Sequence, residues 1–186
     1  MGFWIFLALV LVVVVVIATL YNRIITLENR FENAWGQIDV QLKRRADLVP
    51  NLVETVKGYA SHEQEVFDAV SSARSAMMQA KSPDEGAAAA NVMDQALGRL
   101  FAISEAYPEL KANENFVQLQ KDLGEVEAKI AYARQFYNDA VLQYNNAIET
   151  VPGVFLAGPM GKKEHVFLEI PDGDRVAPTV SFGGTA

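Results

Sequence analysis

The sequence predicts an all-α protein, in which an N-terminal transmembrane helix continues into an antiparallel up-down four-helix bundle. Three observations predict this fold: an uncharged apolar run at the start of the chain, apolar residues at three- and four-residue spacing through most of the remainder, and short connections between the periodic segments. The resulting division is a transmembrane anchor at 1–22, a helical bundle at 23–150 and an irregular tail at 151–186.

The anchor is the apolar run FWIFLALVLVVVVVIATLY, residues 3–21, which precedes the first charged side chain, Arg23. Its 19 residues, at about 1.5 Å of helical rise each, extend roughly 28 Å and match the hydrocarbon core of a bilayer. A cleaved signal peptide would need a basic residue before a shorter apolar core and a small-residue cleavage site, which this run lacks. Because Arg23 and Arg30 follow the span, the positive-inside rule predicts a cytoplasmic C-terminal domain.

The anchor is expected to continue as a stiff stalk into the first leg of the bundle, 24–47. Between Gly2 and Pro50 the sequence contains one glycine, Gly36, and no proline, while an apolar stripe runs along the leg. Lys43, Arg44 and Arg45 are predicted to form its last turn, where positive charge complements the exposed carbonyl groups.

The second leg, 50–81, is predicted to begin at Pro50, with Glu54 just inside it, because proline is favoured at the first helical position. Ser61 and Gln64 have capping-box spacing, which predicts a kink near Gly58 and a restart of the helix. Arg44 and Asp47 are spaced for a local ion pair if the first leg extends that far.

Two further legs are predicted at 84–106 and 113–150. The run SPDE at 82–85 has a capping serine, a proline at the first helical position and a glutamate three residues after the cap. Tyr107-Pro108 is expected to end the third leg, and Asn113 is the candidate cap of the fourth. The fourth leg carries apolar residues at alternating three- and four-residue spacing: Phe116, Leu119, Leu123, Val126, Ile130, Ala133, Tyr137, Ala140, Tyr144 and Ala147.

That seam is typical of left-handed helix packing, either inside an antiparallel bundle or in an exposed coiled-coil dimer. Phe136, Val141 and Ile148 broaden its apolar face, which favours the bundle. Pro152-Gly153 is expected to stop the helix, and the tail beyond it contains one extended segment, HVFLEI at 165–170.

Composition argues against several function classes. The absence of cysteine excludes disulfides and thiolate chemistry, and the 15 acidic against eight basic side chains of residues 51–150 argue against a nucleic-acid partner. The run HEQEV places Val66 where a zinc protease needs its second histidine, and neither histidine belongs to the Glu-x-x-His pattern of di-iron bundles. We therefore predict no catalytic residues, no metal site and no cofactor.

The segment AWGQIDVQLKRRADLVPNLVETVKGYASHE, 34–63, together with YNRIITLENRFENAW before it, resembles the LemA family of bacterial membrane proteins. The later YNNAIETVPG and RVAPTVSF also fit the family pattern, although Gly36 stands where a polar residue is usual. The resemblance implies an anchored helical bundle at the bacterial inner membrane and no agreed activity. It also implies that a relative in magnetosome-forming bacteria is linked to membrane compartment formation, and lipoprotein signals in some relatives argue against a cytoplasmic domain.

We therefore expect a non-enzymatic, membrane-anchored scaffold or adaptor that acts through protein–protein contacts or self-assembly at the bacterial membrane, with membrane organisation as the expected process. A membrane-tethered sensor or signal relay is the alternative. The expected partners are the lipid bilayer, through residues 3–21, and membrane or cytoplasmic proteins. The predicted binding residues are Lys43, Arg44, Arg45, Asp47, Pro50, Asn51 and Glu54.

Overall fold

A computed structural model describes residues 1–168, and the regular structure in this range is entirely helical. The elements are α1 (Gly2–Lys57), α2 (Gln64–Gln79), α3 (Pro83–Ala106), α4 (Pro108–Lys111), α5 (Glu114–Glu149) and α6 (Val154–Ala157). The long helix α1 packs against α5, while α2 and α3 form a hairpin whose two helices both contact α1. The prediction of an all-helical protein with a long apolar N-terminal helix is confirmed.

Helix α1 combines the candidate transmembrane segment and the first part of the packed structure in 56 continuous residues. Its apolar start meets the length and composition of a membrane-crossing helix, and none of the most apolar window is buried. Burial begins at Ile24, which is 1% exposed, so residues from 24 to 168 form what we call the helical body. The side chains that α1 buries in this body are Ile24, Phe31, Ala34, Ile38, Leu42, Arg45, Ala46, Val49, Leu52 and Val56.

The predicted corner between 47 and 50 is wrong, because Pro50 lies inside α1. Proline has no N–H, so the carbonyl group of Ala46 loses its usual helical donor. Arg74 in α2 replaces that donor, and its Nε lies 2.8 Å from the Ala46 oxygen. A tertiary hydrogen bond thus satisfies the carbonyl that Pro50 leaves without a helical donor.

The first corner of the chain instead follows Lys57, ten residues beyond 47, where the sequence places the end of the first leg. Gly58 closes α1, its N–H donating to the carbonyl group of Glu54. Helix α2 then begins at Gln64 with Glu63 as its N-cap, and no side chain caps it, so the predicted Ser61 capping box is not formed. The predicted second leg, 50–81, is therefore the end of α1, a turn and α2.

The start of α3 follows the sequence prediction. The Ser82 hydroxyl accepts from the N–H of Glu85 at 3.3 Å, and Pro83 occupies the first helical position. The Glu85 carboxylate accepts from the N–H of Lys81 at 2.8 Å, one residue before the position expected for a capping box. Close packing also requires Gly86, since an added Cβ would lie 2.3 Å from the Cη2 atom of Trp35 in α1.

Helix α5 is the second long element of the body. Its predicted cap is confirmed, because Oδ1 of Asn113 accepts from the N–H of Phe116 at 3.1 Å. The helix runs antiparallel to α1, since Arg30 contacts Gln143 near one end while residues 51–55 and 115–119 share a groove at the other. Of the predicted seam, Leu119 and Ala147 are half-buried and the other members are buried.

Burial also affects the ionisation of two seam tyrosines. Tyr137 and Tyr144 are each 1% exposed, and their burial raises the pKa of both phenols above 10. The ring of Tyr144 lies 5.1 Å from that of Phe31, so the aromatic contact joins α5 to α1.

The segment after α5 contains the short helix α6 and then an extended strap, residues 162–168, along α5. The Asn145 side chain exchanges two hydrogen bonds with the backbone of His165, at 2.9 and 3.0 Å. Asn138, one heptad earlier in α5, does the same with Leu168, at 2.8 and 2.9 Å. Seven helical residues and three extended residues both span about 10 Å, so the two asparagines match the rise of the strap. The rest of HVFLEI and RVAPTVSF lie outside the described residues.

The strap is also fixed by two contacts with α1. Lys162 forms an ion pair with Glu28, and this hydrogen bond raises the pKa of the lysine. The ring of His165 lies 4.2 Å from that of Phe31. These contacts join the end of the described chain to the first turns of the helical body.

Candidate functional site

Six of the seven predicted binding residues share one solvent-exposed face of α1, which we call the ridge: Lys43, Arg44, Asp47, Pro50, Asn51 and Glu54. At about 100° per residue these positions fall within an arc of roughly 120°. They come together because α1 continues through Pro50, whereas a corner there would place them on two helices. The structure leaves their role in binding a prediction.

The charges of the ridge are partly neutralised within α1 itself. Nζ of Lys43 lies 2.6 Å from Asp39, and Nζ of Lys57 lies 3.2 Å from Glu54. The predicted Arg44–Asp47 pair is not formed, and within residues 1–168 neither side chain belongs to an ion pair. Such exposed pairs contribute little stability, so the charged side chains of the ridge can exchange these partners for others at little cost.

Arg45 does not belong to the ridge. It is 6% exposed and lies on the buried stripe of α1, so the prediction that all three cations close a helix end is wrong. Its guanidinium group forms ion pairs with Asp94 of α3 and Glu127 of α5, the latter with Nη1 and Oε2 2.9 Å apart. The cluster therefore connects three helices through one side chain.

The contact with Glu127 has the distance of an ion pair without the alignment of a hydrogen bond. Within the described chain, Nε and Nη1 of Arg45 and Oε2 of Glu127 are buried without a hydrogen-bond partner. The Oε1 atom of Gln41, one turn earlier in α1, is in the same condition. Unpaired buried donors reduce the net gain from the ion pairs, so the cluster specifies how the three helices meet more than it stabilises them.

The partners of Arg45 were not predicted, although the sequence contains a signal for its burial. Arg45 continues the three- and four-residue spacing that runs from Leu42 to Val49, which places it on the core side of α1. A charged residue on a buried stripe requires opposite charges from neighbouring helices. Which carboxylates supply them depends on the register of α3 and α5, which the spacing does not specify.

An open groove of about 1080 Å³ lies between α1 and α5, on the side of the ridge that is nearer the candidate span. Its wall includes Gln37, Val40 and Gln41 from α1 and Lys129 and Tyr132 from α5. Val40 is 59% exposed and Tyr132 is 74% exposed, so the groove has apolar side chains at its rim. Nothing in the described chain covers these two side chains.

The chain matches the LemA family over residues 34–182, a range that includes the ridge, Arg45 and the strap. It belongs to the LemA family. The sequence resemblance is thereby confirmed, and the family match begins within α1 and extends beyond the strap.

Individual relatives of this LemA-family chain include magnetosome proteins. It is 31% identical to magnetosome protein MamQ 2 of Paramagnetospirillum magneticum, over 89% of this chain and 72% of the relative. It is 29% identical to magnetosome protein MamQ of Magnetospirillum gryphiswaldense, over 83% of this chain and 66% of the relative. A protein LemA of Metamycoplasma hominis is 26% identical, over 69% of this chain and 59% of the relative.

Proposed function

We propose that this protein is a non-enzymatic scaffold or adaptor of the bacterial inner membrane, which binds other proteins through the ridge. In this proposal residues 3–21 span the bilayer, and the long helices of the body form an antiparallel up-down four-helix bundle on the cytoplasmic side. The partners are membrane or cytoplasmic proteins, and a second copy of the chain is one of them if the protein self-assembles.

The observation that carries the proposal is the unbroken course of α1 from the candidate span to the ridge. At about 1.5 Å per residue, Lys43 lies roughly 33 Å beyond Tyr21 along the helix axis, and Glu54 roughly 50 Å beyond it. Because no interruption separates these positions from the span, the ridge is held at a set height. This fixed height suits a scaffold, because each copy presents the ridge to its partners at the same level.

The same height favours protein partners over lipid. Charges in physiological salt are screened over about 8–10 Å, so a ridge more than three such lengths from the headgroups gains little from anionic lipid. The mixed signs of Arg44 and Asp47 also differ from the uniformly basic surface that lipid headgroups attract. A protein surface can complement both signs.

Two further observations support the proposal. The chemistry of the sequence offers no nucleophile-and-base pair or metal motif, which is why we propose binding in place of catalysis. The magnetosome relatives point to the organisation of membranes as the process in which the scaffold acts.

Site-specific photocrosslinking in intact membranes tests the ridge. A photoreactive amino acid at Arg44 should give discrete protein adducts, whereas the same group at Arg99, an exposed position of α3, should give few. Mass spectrometry of the adducts would identify the partner or show a second copy of the chain. Equal labelling from both positions would contradict a specific docking ridge.

The membrane side is tested separately. An alkaline phosphatase domain fused after Ala186 is expected to stay inactive in a bacterial host, since Arg23 and Arg30 follow the span. High phosphatase activity would place the body outside the cytoplasm and would leave the ridge proposal to be pursued with external partners.

A signal relay is the second candidate, because an unbroken helix can also transmit a displacement along its axis. Inserting a short flexible Gly-Ser segment between Tyr21 and Arg23 distinguishes the two functions. Both a scaffold and a relay should keep their Arg44 crosslinks after the insertion. Only a relay should lose function, because its bound partner would no longer respond to a displacement of the span.

A further inference from the structure

The segment that joins α5 to the strap lies at the end of the helical body that is nearest the candidate span. Thr150, Val151 and Gly153 share a small cleft with Leu20, Arg23 and Ile24 of α1. An added Cβ on Gly153 would lie 1.8 Å from the carbonyl oxygen of Ala147, so the chain turns tightly beneath the end of α5. Its position beside Leu20 and Ile24 sets its height at the last turn of the apolar run.

This segment is unusually apolar for an exposed connection. Residues 151–160, VPGVFLAGPM, contain no charged or hydrogen-bonding side chain, with α6 at their centre. Val151 is 74% exposed, Phe155 is 71% exposed and Val154 is 42% exposed. Ala157 is buried, so one side of the segment packs on the body while the other presents large apolar side chains.

The apolar surface is continuous with that of the candidate span and is followed by basic residues. Leu20 lines the same cleft as Val151, and Tyr21 is 49% exposed at the end of the span. Arg23 and Lys163 are both exposed beside the segment. Apolar side chains next to a tyrosine and to exposed cations match the layered chemistry of a lipid–water interface.

We propose that residues 151–160 are a second membrane contact, in which Val151, Val154 and Phe155 insert into the lipid–water interface beside the transmembrane helix. The segment is called the foot below. This inference rests on the proposed membrane anchor, because the height of the foot is measured from the span.

The foot gives the scaffold something that a single helix cannot provide. One transmembrane helix leaves the body free to rotate about the helix axis and to tilt. A second contact, on the α5 side of α1, fixes which face of the body is turned toward the membrane and which way the ridge points.

Depth-dependent fluorescence quenching in lipid vesicles tests the foot with the full chain. The natural sequence has no cysteine, so a label on one introduced cysteine reports one position. An environment-sensitive dye is attached to Phe155→Cys, to Val10→Cys in the span and to Val117→Cys near the far end of α5. Val117 is a matched control, because it is apolar and 50% exposed.

The expected result is that nitroxide-labelled lipids quench the dye at position 155 several-fold more than the dye at 117, while aqueous iodide shows the opposite order. If the dye at 10 is quenched by lipid and the dye at 155 behaves like that at 117, the foot is refuted and the anchor stands. If the dye at 10 is also in water, the anchor itself is refuted. A dye at 155 that resists both quenchers would indicate a protein contact and would also refute the foot.

A second variant removes the concern that the dye itself drives insertion. With the dye on Val154→Cys, the further change Phe155→Asp should reduce lipid quenching several-fold, because it places a charge at the apolar interface. Phe167→Asp, at an aromatic residue of the strap that is 47% exposed, should leave the quenching unchanged. Equal quenching in all three proteins would contradict insertion through Phe155.

Discussion

We predict that the hydrogen bond from Arg74 to the Ala46 carbonyl allows α1 to continue through Pro50. In Arg74→Met the apolar stem remains and the donor is lost, so the carbonyl is left without a protein partner. A hydrogen bond from a charged donor contributes about 1.5–3 kcal/mol to the free energy of unfolding. For a chain of this size, about 2–4 °C of melting temperature per kcal/mol gives an expected loss of roughly 3–12 °C.

The decisive comparison uses Pro50→Ala, which restores the N–H that the Ala46 carbonyl lacks. This exposed change should by itself raise the free energy of unfolding by up to about 3 kcal/mol, the difference in helix propensity between the two residues. In the Pro50→Ala background, Arg74→Met should then cost less than about 1 kcal/mol, which corresponds to a coupling of at least about 0.5–2 kcal/mol.

Thermal unfolding of the four proteins, followed by circular dichroism of the full chain in detergent micelles, measures this cycle. Equal losses on replacing Arg74 in the two backgrounds would refute the reasoning. Such a result would mean that Arg74 stabilises α1 through contacts other than the Ala46 carbonyl.

Three further predictions concern single sites. Arg45→Met should lower the free energy of unfolding, measured by urea titration, by about 3 kcal/mol. This is the lower end of the cost of breaking a buried ion pair, because the partner carboxylates are over a third exposed. The control Arg44→Met, at an exposed position, should change the free energy of unfolding by less than about 0.5 kcal/mol. Gly86→Ala should cost about 1–3 kcal/mol by forcing a rigid indole to move, whereas Gly98→Ala, with no atom within 4 Å of the new Cβ, should gain about 0.8–1 kcal/mol by the same measurement. The pKa of Lys162 is raised in the folded protein, so the stability that this lysine contributes is complete below its ordinary pKa of 10.5 and is lost as pH rises through the higher folded value. Lys162→Met should therefore flatten the decline of the melting temperature at alkaline pH. An unchanged decline would assign that decline to the buried tyrosines.

Some of this protein can be predicted from sequence because the responsible forces are local. The apolar run at 3–21, the caps at Ser82 and Asn113 and the stripe of α5 depend on residues within one or two turns of each other. The family is likewise predictable, since it depends on a linear pattern. The ridge residues are predictable as a short run of the sequence, but their common face depends on the continuation of α1 through Pro50, and their binding role stays a prediction.

The features that sequence reasoning places incorrectly depend on partners far away along the chain. A proline predicts a helix start at position 50, whereas in the structure Arg74 of α2 donates to the carbonyl that the proline leaves without a helical donor, and α1 continues. Three adjacent cations predict a helix end, and although the stripe spacing marks Arg45 as the cation on the core side, only the packing of α3 and α5 supplies the carboxylates that pair with it. Sequence therefore determined which segments are helical and apolar, whereas tertiary structure decided where α1 ends and which carboxylates pair with the buried cation, because an unsatisfied carbonyl or a buried charge takes its partner from whichever helix packs beside it.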